Sequence, residues 1–187
     1  MTEYIVEYPN TISEFICEDI IDFFTEDNTN TMFEIPKNKE QYSKIEKLLY
    51  TQLLMKIQDY KSRLINYPNT NEKNKMTNIF NNKVYTKSFV VKKYGGKEEE
   101  EEVNDFNNNT YNRYTFLNYI LYLNVVDTDK NNGEIIFDNG IIIKPNIGKL
   151  VLFPENIHCK YKYMVPTNID NEFQYILSGQ LSYNDNF

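Results

Sequence analysis

Glu134-Ile135-Ile136-Phe137-Asp138-Asn139-Gly140-Ile141-Ile142-Ile143-Lys144-Pro145-Asn146-Ile147-Gly148-Lys149-Leu150-Val151-Leu152-Phe153-Pro154 is the stretch on which the fold turns. It holds three short runs, Glu134 to Phe137, Ile141 to Lys144 and Lys149 to Phe153, each too short for a helix and rich in β-branched and aromatic side chains. Asn139-Gly140 parts the first two. Both residues tolerate the left-handed backbone that a two-residue hairpin needs, so the pair predicts a tight antiparallel turn. Pro145-Asn146 parts the second run from the third. The stretch therefore predicts three consecutive short strands.

The same character extends to both sides. Val84 to Tyr94, Tyr114 to Leu123, His158 to Met164 and Phe173 to Tyr183 are strand-like, with Gly95-Gly96 and Asn131-Asn132-Gly133 as punctuation. Upstream the period changes. Thr11 and Glu14 fit a capping box, and Ile12, Phe15, Ile16, Ile20, Phe23 and Phe24 recur at helical spacing, predicting a helix from Ile12 to Phe24. A strand-like piece, Met32 to Ile35, ends at Pro36. A second helix is predicted from Lys39 to Leu64, burying Ile45, Leu48, Leu49, Leu53, Met55 or Ile57, Tyr60 and Leu64. Asn66 to Asn82, polar and broken by Pro68, reads as a connection. Helices followed by many short strands give an α+β class, a jelly roll (double-stranded β-helix) with N-terminal helices packed on one sheet. One domain is expected over residues 1–187, with helical support to about residue 66 and the jelly roll over about 84–183.

Composition narrows the function classes. With 41% hydrophobic residues, the 187-residue chain has enough apolar material for one real core. No run of about eighteen apolar residues exists and the first residues carry acid, so neither a membrane span nor a secretory signal is expected. A cytoplasmic protein is expected. The net charge of -7 and pI near 4.9 argue against nucleic-acid binding by phosphate neutralisation. Cys17 and Cys159 stand far apart, so no disulfide framework or structural zinc site is read from them. The chain has no Ala or Trp, two arginines (Arg63, Arg113), and Asn at about one residue in seven. That usage points to an AT-rich genome, such as that of a large DNA virus, a protist or a parasitic bacterium.

The order of motifs carries the reading further. Lys93-Tyr94-Gly95-Gly96, Arg113-Tyr114-Thr115-Phe116-Leu117, Tyr122-Leu123-Asn124, Asn132-Gly133-Glu134-Ile135-Ile136-Phe137, Lys144 to Pro154, His158 and Tyr175-Ile176-Leu177-Ser178-Gly179 occur in series. Together, over about Val84 to Tyr183, they resemble the Fe(II)/2-oxoglutarate-dependent dioxygenases, specifically the prolyl 4-hydroxylase branch. The resemblance implies a His-x-Asp pair and a distal His that hold iron on one face, leaving room for 2-oxoglutarate and oxygen. It places the Asp on Asp105 and the distal His on His158, the only histidine in the chain. The first His falls on Val103, which cannot ligate a metal. It also implies a Lys or Arg beside the Tyr-Ile-x-x-Gly strand for the distal carboxylate of 2-oxoglutarate, because a buried dianion needs a paired cation or a full set of donors. Gln174 stands there. Tyr94 and Tyr122 match tyrosines that line the cosubstrate pocket.

Two losses at two functional positions imply a prolyl-hydroxylase-like protein that is catalytically deficient, a pseudoenzyme with Asp105 and His158 as remnant ligands. It would act as a protein-binding or structural module in a host cytoplasm or, if viral, in a virion. No cofactor is then expected. The alternative is an active protein hydroxylase using Fe(II) and 2-oxoglutarate. There Asp105 and His158 would ligate with a carboxylate from Glu100 to Glu102 or a water, Tyr94, Tyr122 and Gln174 would hold the cosubstrate, and Lys160 or Lys162 would replace the missing cation. A jelly roll of other ancestry acting in assembly is the third possibility. Without the resemblance, Asp105 reads as a turn residue, His158 as a structural histidine, and Glu98 to Glu102 as a solvated loop in preference to a calcium or basic-partner site; the resemblance, which sets this run beside the substrate entrance, implies a docking place for a protein partner. His158 has no nucleophile elbow near it, and no phosphate-cradling glycine loop occurs.

Overall fold

The computed structural model describes residues 4–27, 31–35, 40–65, 84–86, 89–95, 102–103, 115–126, 133–155, 160–166 and 173–183. In chain order the elements are β1 (Val6–Tyr8), α1 (Glu14–Asp27), β2 (Met32–Glu34), α2 (Glu40–Ile65), β3 (Val84–Thr86), β4 (Val90–Tyr94), β5 (Glu102–Val103), β6 (Thr115–Tyr122), β7 (Ile135–Phe137), β8 (Ile142–Ile143), β9 (Leu150–Pro154), β10 (Tyr161–Met164) and β11 (Gln174–Tyr183).

Helix α1 starts two residues later than the capping box predicts. Ser13 accepts the first helical N–H groups through its carbonyl, from Ile16 and Cys17, both at 3.1 Å. Thr11 is used elsewhere, its hydroxyl donating to the Tyr8 carbonyl at 2.9 Å. Cys17, Ile20 and Phe24 form the buried stripe, whereas Phe15 points outward with 68% exposure, so the apolar stripe is narrower than the sequence implies. In α2 the buried stripe is Tyr42, Leu49, Leu53, Ile57, Tyr60 and Leu64. The choice between Met55 and Ile57 resolves to Ile57, with Met55 at 59% exposure.

Two antiparallel sheets form the jelly roll. The larger has seven strands in the order β1-β9-β6-β11-β4-β2, with β3 also paired to β11. The smaller runs β5-β10-β7-β8. The hairpin from β7 to β8 falls at Asn139-Gly140, with Ile135 paired to Ile143 and Ile136 to Ile142, but only Gly140 is left-handed (φ +85°) and the loop is three residues, Asp138 to Gly140, closed by the Phe137 N–H donating to the Ile141 carbonyl. Strand β1, which the sequence reading did not single out, extends the large sheet by pairing Val6 with Leu152 and Tyr8 with Leu150.

The central strands are buried on both faces because both faces are covered. Tyr119, Leu121, Leu150, Leu152, Tyr175 and Leu177 turn toward the helices and join Cys17, Phe24, Leu53 and Tyr60 in one core. Their neighbours one residue along, Ile120, Tyr122, Val151, Phe153 and Ile176, turn toward the small sheet and join Ile135, Phe137, Ile143, Tyr163 and Val165 in a second. A large apolar side chain withdrawn from water contributes roughly 1.5–3 kcal/mol. The helices, which bury more than half a dozen such groups, are therefore integral to the fold. Among the described residues no helix is long and apolar enough to cross a membrane.

Candidate functional site

The candidate cosubstrate residues converge on the second core, between the sheets. Gln174 opens β11 and pairs directly with Tyr94 of β4, so the two side chains leave the same face of the large sheet. Ile176, two residues along, pairs with Tyr122 of β6 and places that ring on the same face. Tyr122 closes β6. Its backbone is fixed by bonds from its N–H to the Lys149 carbonyl (3.0 Å) and from the Gly148 N–H to its own carbonyl (2.9 Å). Its hydroxyl donates to the Gly133 carbonyl at 3.0 Å.

Gln174 is wholly buried. The hydroxyl of Tyr163, on β10 of the opposite sheet, donates to its Oε1. On its other side lies Gly133, whose φ of +77° suits glycine and whose missing Cβ matters a second time, since a methyl there would collide with the Gln174 amide. The amide nitrogen Nε2 has no hydrogen-bond partner among the described residues. The Tyr94 and Tyr163 rings pack at 4.6 Å between centroids. Behind them Phe137, Phe153 and Tyr161 fill the interior, with Phe153 5.2 Å from Phe137 and 4.9 Å from Tyr161.

Gln174 itself brings no charge to this corner. Burial holds the Tyr122 hydroxyl far above the ordinary phenol range, and the negative charges of Glu134 and then Glu7 push it the same way. The phenol is a neutral donor already committed to Gly133. Of the two carboxylates, Glu7 is itself paired with Lys149 Nζ at 2.7 Å. Lys160 and Lys162 do not supply the missing cation, because both side chains are exposed; on β10, Lys162 faces away from the interior that Tyr163 enters. Gln174, Tyr94, Tyr122 and Tyr163 bring no cation to meet the distal carboxylate of 2-oxoglutarate.

Asp105, His158 and Glu98 to Glu101 lie outside the described residues, as does Cys159. For Val103 the backbone register is given: it pairs with Tyr163, and Glu102 with Met164. Among the described residues no three His, Cys, Asp or Glu side chains gather.

Sequence reasoning missed three residues here. Tyr163 is one of 16 tyrosines in the chain, and the alternation Tyr161, Lys162, Tyr163 sets its phase without naming its partner. Gly133 reads as a turn residue, not as the wall of a slot. Lys92 is buried to 7% exposure and pairs with Ile176, which puts its side chain on the same inner face as Tyr94 and Tyr122. Nothing in Val90-Val91-Lys92-Lys93 separates it from its neighbour.

Solved structures of the same architecture include the viral collagen prolyl hydroxylase of Paramecium bursaria Chlorella virus-1, with a TM-score of 0.66, 14% identity, 97% of this chain and 91% of that one covered. A prolyl hydroxylase from Trichoplax adhaerens, in complex with a hypoxia inducible factor oxygen degradation domain peptide fragment, gives 0.63 at 13% identity, covering 98% and 84%. The prolyl 4-hydroxylase of Pseudomonas putida gives 0.57 at 10% identity, covering 98% and 94%. No protein-family profile and no curated protein matches the sequence. The chain has the prolyl 4-hydroxylase fold, helices included.

Proposed function

We propose that this protein is a catalytically deficient member of the prolyl-hydroxylase-like fold, working as a protein-binding or structural module without a bound cofactor. The observation that carries the proposal is the state of Gln174: a neutral amide, buried and tied to Tyr163, in place of a cation. Val103 at the position of a metal-ligating imidazole supports it independently. The fold itself suits peptide recognition, since the Trichoplax protein of this architecture holds a peptide fragment. The net charge of -7 favours a basic partner. Anaerobic calorimetric titration of the metal-stripped chain with Mn(II), with and without 2-oxoglutarate, tests the reading. The expected result is no cosubstrate-dependent binding. Micromolar Mn(II) affinity that tightens with 2-oxoglutarate overturns it.

Lys92 favours a second reading, in which the active-site cation has moved from β11 to β4 and an active hydroxylase survives on a non-standard metal site. It stands on the same inner face as Gln174, one cross-strand row away. If the titration shows binding, Lys92→Met separates the cases: loss of the 2-oxoglutarate effect with Mn(II) affinity retained supports the relocated cation.

A further inference from the structure

The Gln174 carboxamide bridges two sheets. Gln174 belongs to β11 of the large sheet, while its contacts, Gly133 just before β7 and Tyr163 on β10, belong to the small one. The amide fills the space left by the absent Gly133 side chain, and its oxygen is read by a phenol. Its nitrogen has no partner among the described residues, which is unfavourable for a fully buried donor. A hydrocarbon side chain of similar length would fill the volume without that cost, so filling alone does not account for an amide here.

We infer that Gly133 and Tyr163, with the Tyr94 ring alongside, form a receptor slot that reads a small neutral carbonyl group through its oxygen, and that the protein occupies it with the carboxamide of its own Gln174 as an internal ligand. The inference rests on the preceding reading that this corner takes no dicarboxylate. The slot has a backbone wall at Gly133, an oxygen-reading hydroxyl at Tyr163 and an aromatic side at Tyr94, which packs on Tyr163. Removing the internal ligand exposes a site for a free molecule of the same chemistry.

Gln174→Ala deletes the equivalent of acetamide, so acetamide is the probe. In thermal melts of the full chain, acetamide is expected to raise the Tm of Gln174→Ala by about 2–4 °C at a few times its Kd, and to leave wild type and Gln174→Leu unshifted. Equal responses in all three proteins overturn the inference. Should Gln174→Ala fail to fold, Tyr163→Phe is measured with Gln174 and with Gln174→Met. A loss of Tm in the first background and none in the second supports the slot, and equal losses overturn it. Adding 2-oxoglutarate with Mn(II) to wild type reports on the other reading. A shift there removes the cofactor-free function while the acetamide result still decides the slot.

Discussion

The backbone N–H of Thr11 donates to the carbonyl of Gly148 at 2.7 Å, joining the segment before α1 to the turn that feeds β9. Gly148 serves two elements at once, because its own N–H donates to Tyr122 on β6. Its φ of +71° is one that side chains rarely adopt, and a methyl there would strike the carbonyl oxygen of Ile12. Gly148→Ala therefore meets backbone strain and a backbone collision that no rotamer relieves. The expected loss is about 2–3 kcal/mol, read as a lower urea midpoint at unchanged m-value. A midpoint within error of wild type would show that the helical segment is not locked to the jelly roll here.

Alkaline pH is expected to weaken the fold. Burial pushes the Cys17 thiol from 9.0 up to about 11, with a backbone hydrogen bond at Gly148 opposing and Glu14 and Glu18 adding to the rise. The folded protein thus keeps a proton that the unfolded chain loses. Its contribution is complete below about pH 9 and disappears as pH climbs through about 11. The buried hydroxyls of Tyr8, Tyr119 and Tyr122 are raised chiefly by burial and act in the same direction from pH 10 upward. Urea midpoints should hold steady to about pH 8.5 and then fall continuously toward pH 11. A flat profile across that range contradicts the burial of these groups.

Much of this fold is legible from periodicity, and the failures have physical causes. Both helices and the strands from β6 to β11 are legible, the helices from apolar spacing and the strands as short runs rich in Val, Ile, Phe and Tyr parted by Asn, Gly and Pro. Strand β1 is only three residues long, Val6, Glu7 and Tyr8, so it offers one period of alternation and no more. Phe15 and Met55 lie at helical spacing yet face solvent, since spacing fixes a direction only to within the width of the stripe. At the site, Gln174 and Tyr122 are found by motif position, whereas Tyr163 enters through a pairing between sheets that leaves no trace in local sequence. Lys92 and Lys93 differ by one residue and so by the face they enter, a distinction set by the register of β4 against β11.

A charge placed at Gln174 should be poorly tolerated at neutral pH. Gln174→Glu keeps the acceptor for Tyr163 but buries a carboxylate against Gly133, next along the chain from Glu134, whose charge already bears on Tyr122. Burial and like charge both favour the protonated acid, so its folded pKa lies above its unfolded value of about 4.3. The sign then follows. Relative to wild type the variant is closest in stability at low pH and loses ground as pH rises above about 4.3. A deficit of about 2 kcal/mol or more at neutral pH is expected from an unpaired buried charge. Equal stability of the two proteins at pH 7 would mean that water reaches this corner.

Restoring an imidazole tests whether the metal side is a remnant. Val103 pairs with Tyr163 at the edge of the small sheet, so Val103→His introduces the missing ligand type on a strand whose backbone register is fixed. If Asp105 and His158 keep ligand positions, three ligands now stand where two did, and Mn(II) affinity should rise at least tenfold, or about 1.4 kcal/mol. The gain should vanish in Val103→His/His158→Ala. On the proposed reading, with Gln174 still in place, 2-oxoglutarate should add nothing to the Mn(II) affinity of the single variant. Unchanged Mn(II) affinity in Val103→His would dissociate Asp105 and His158 from any metal role and favour their ordinary readings, a turn residue and a structural histidine.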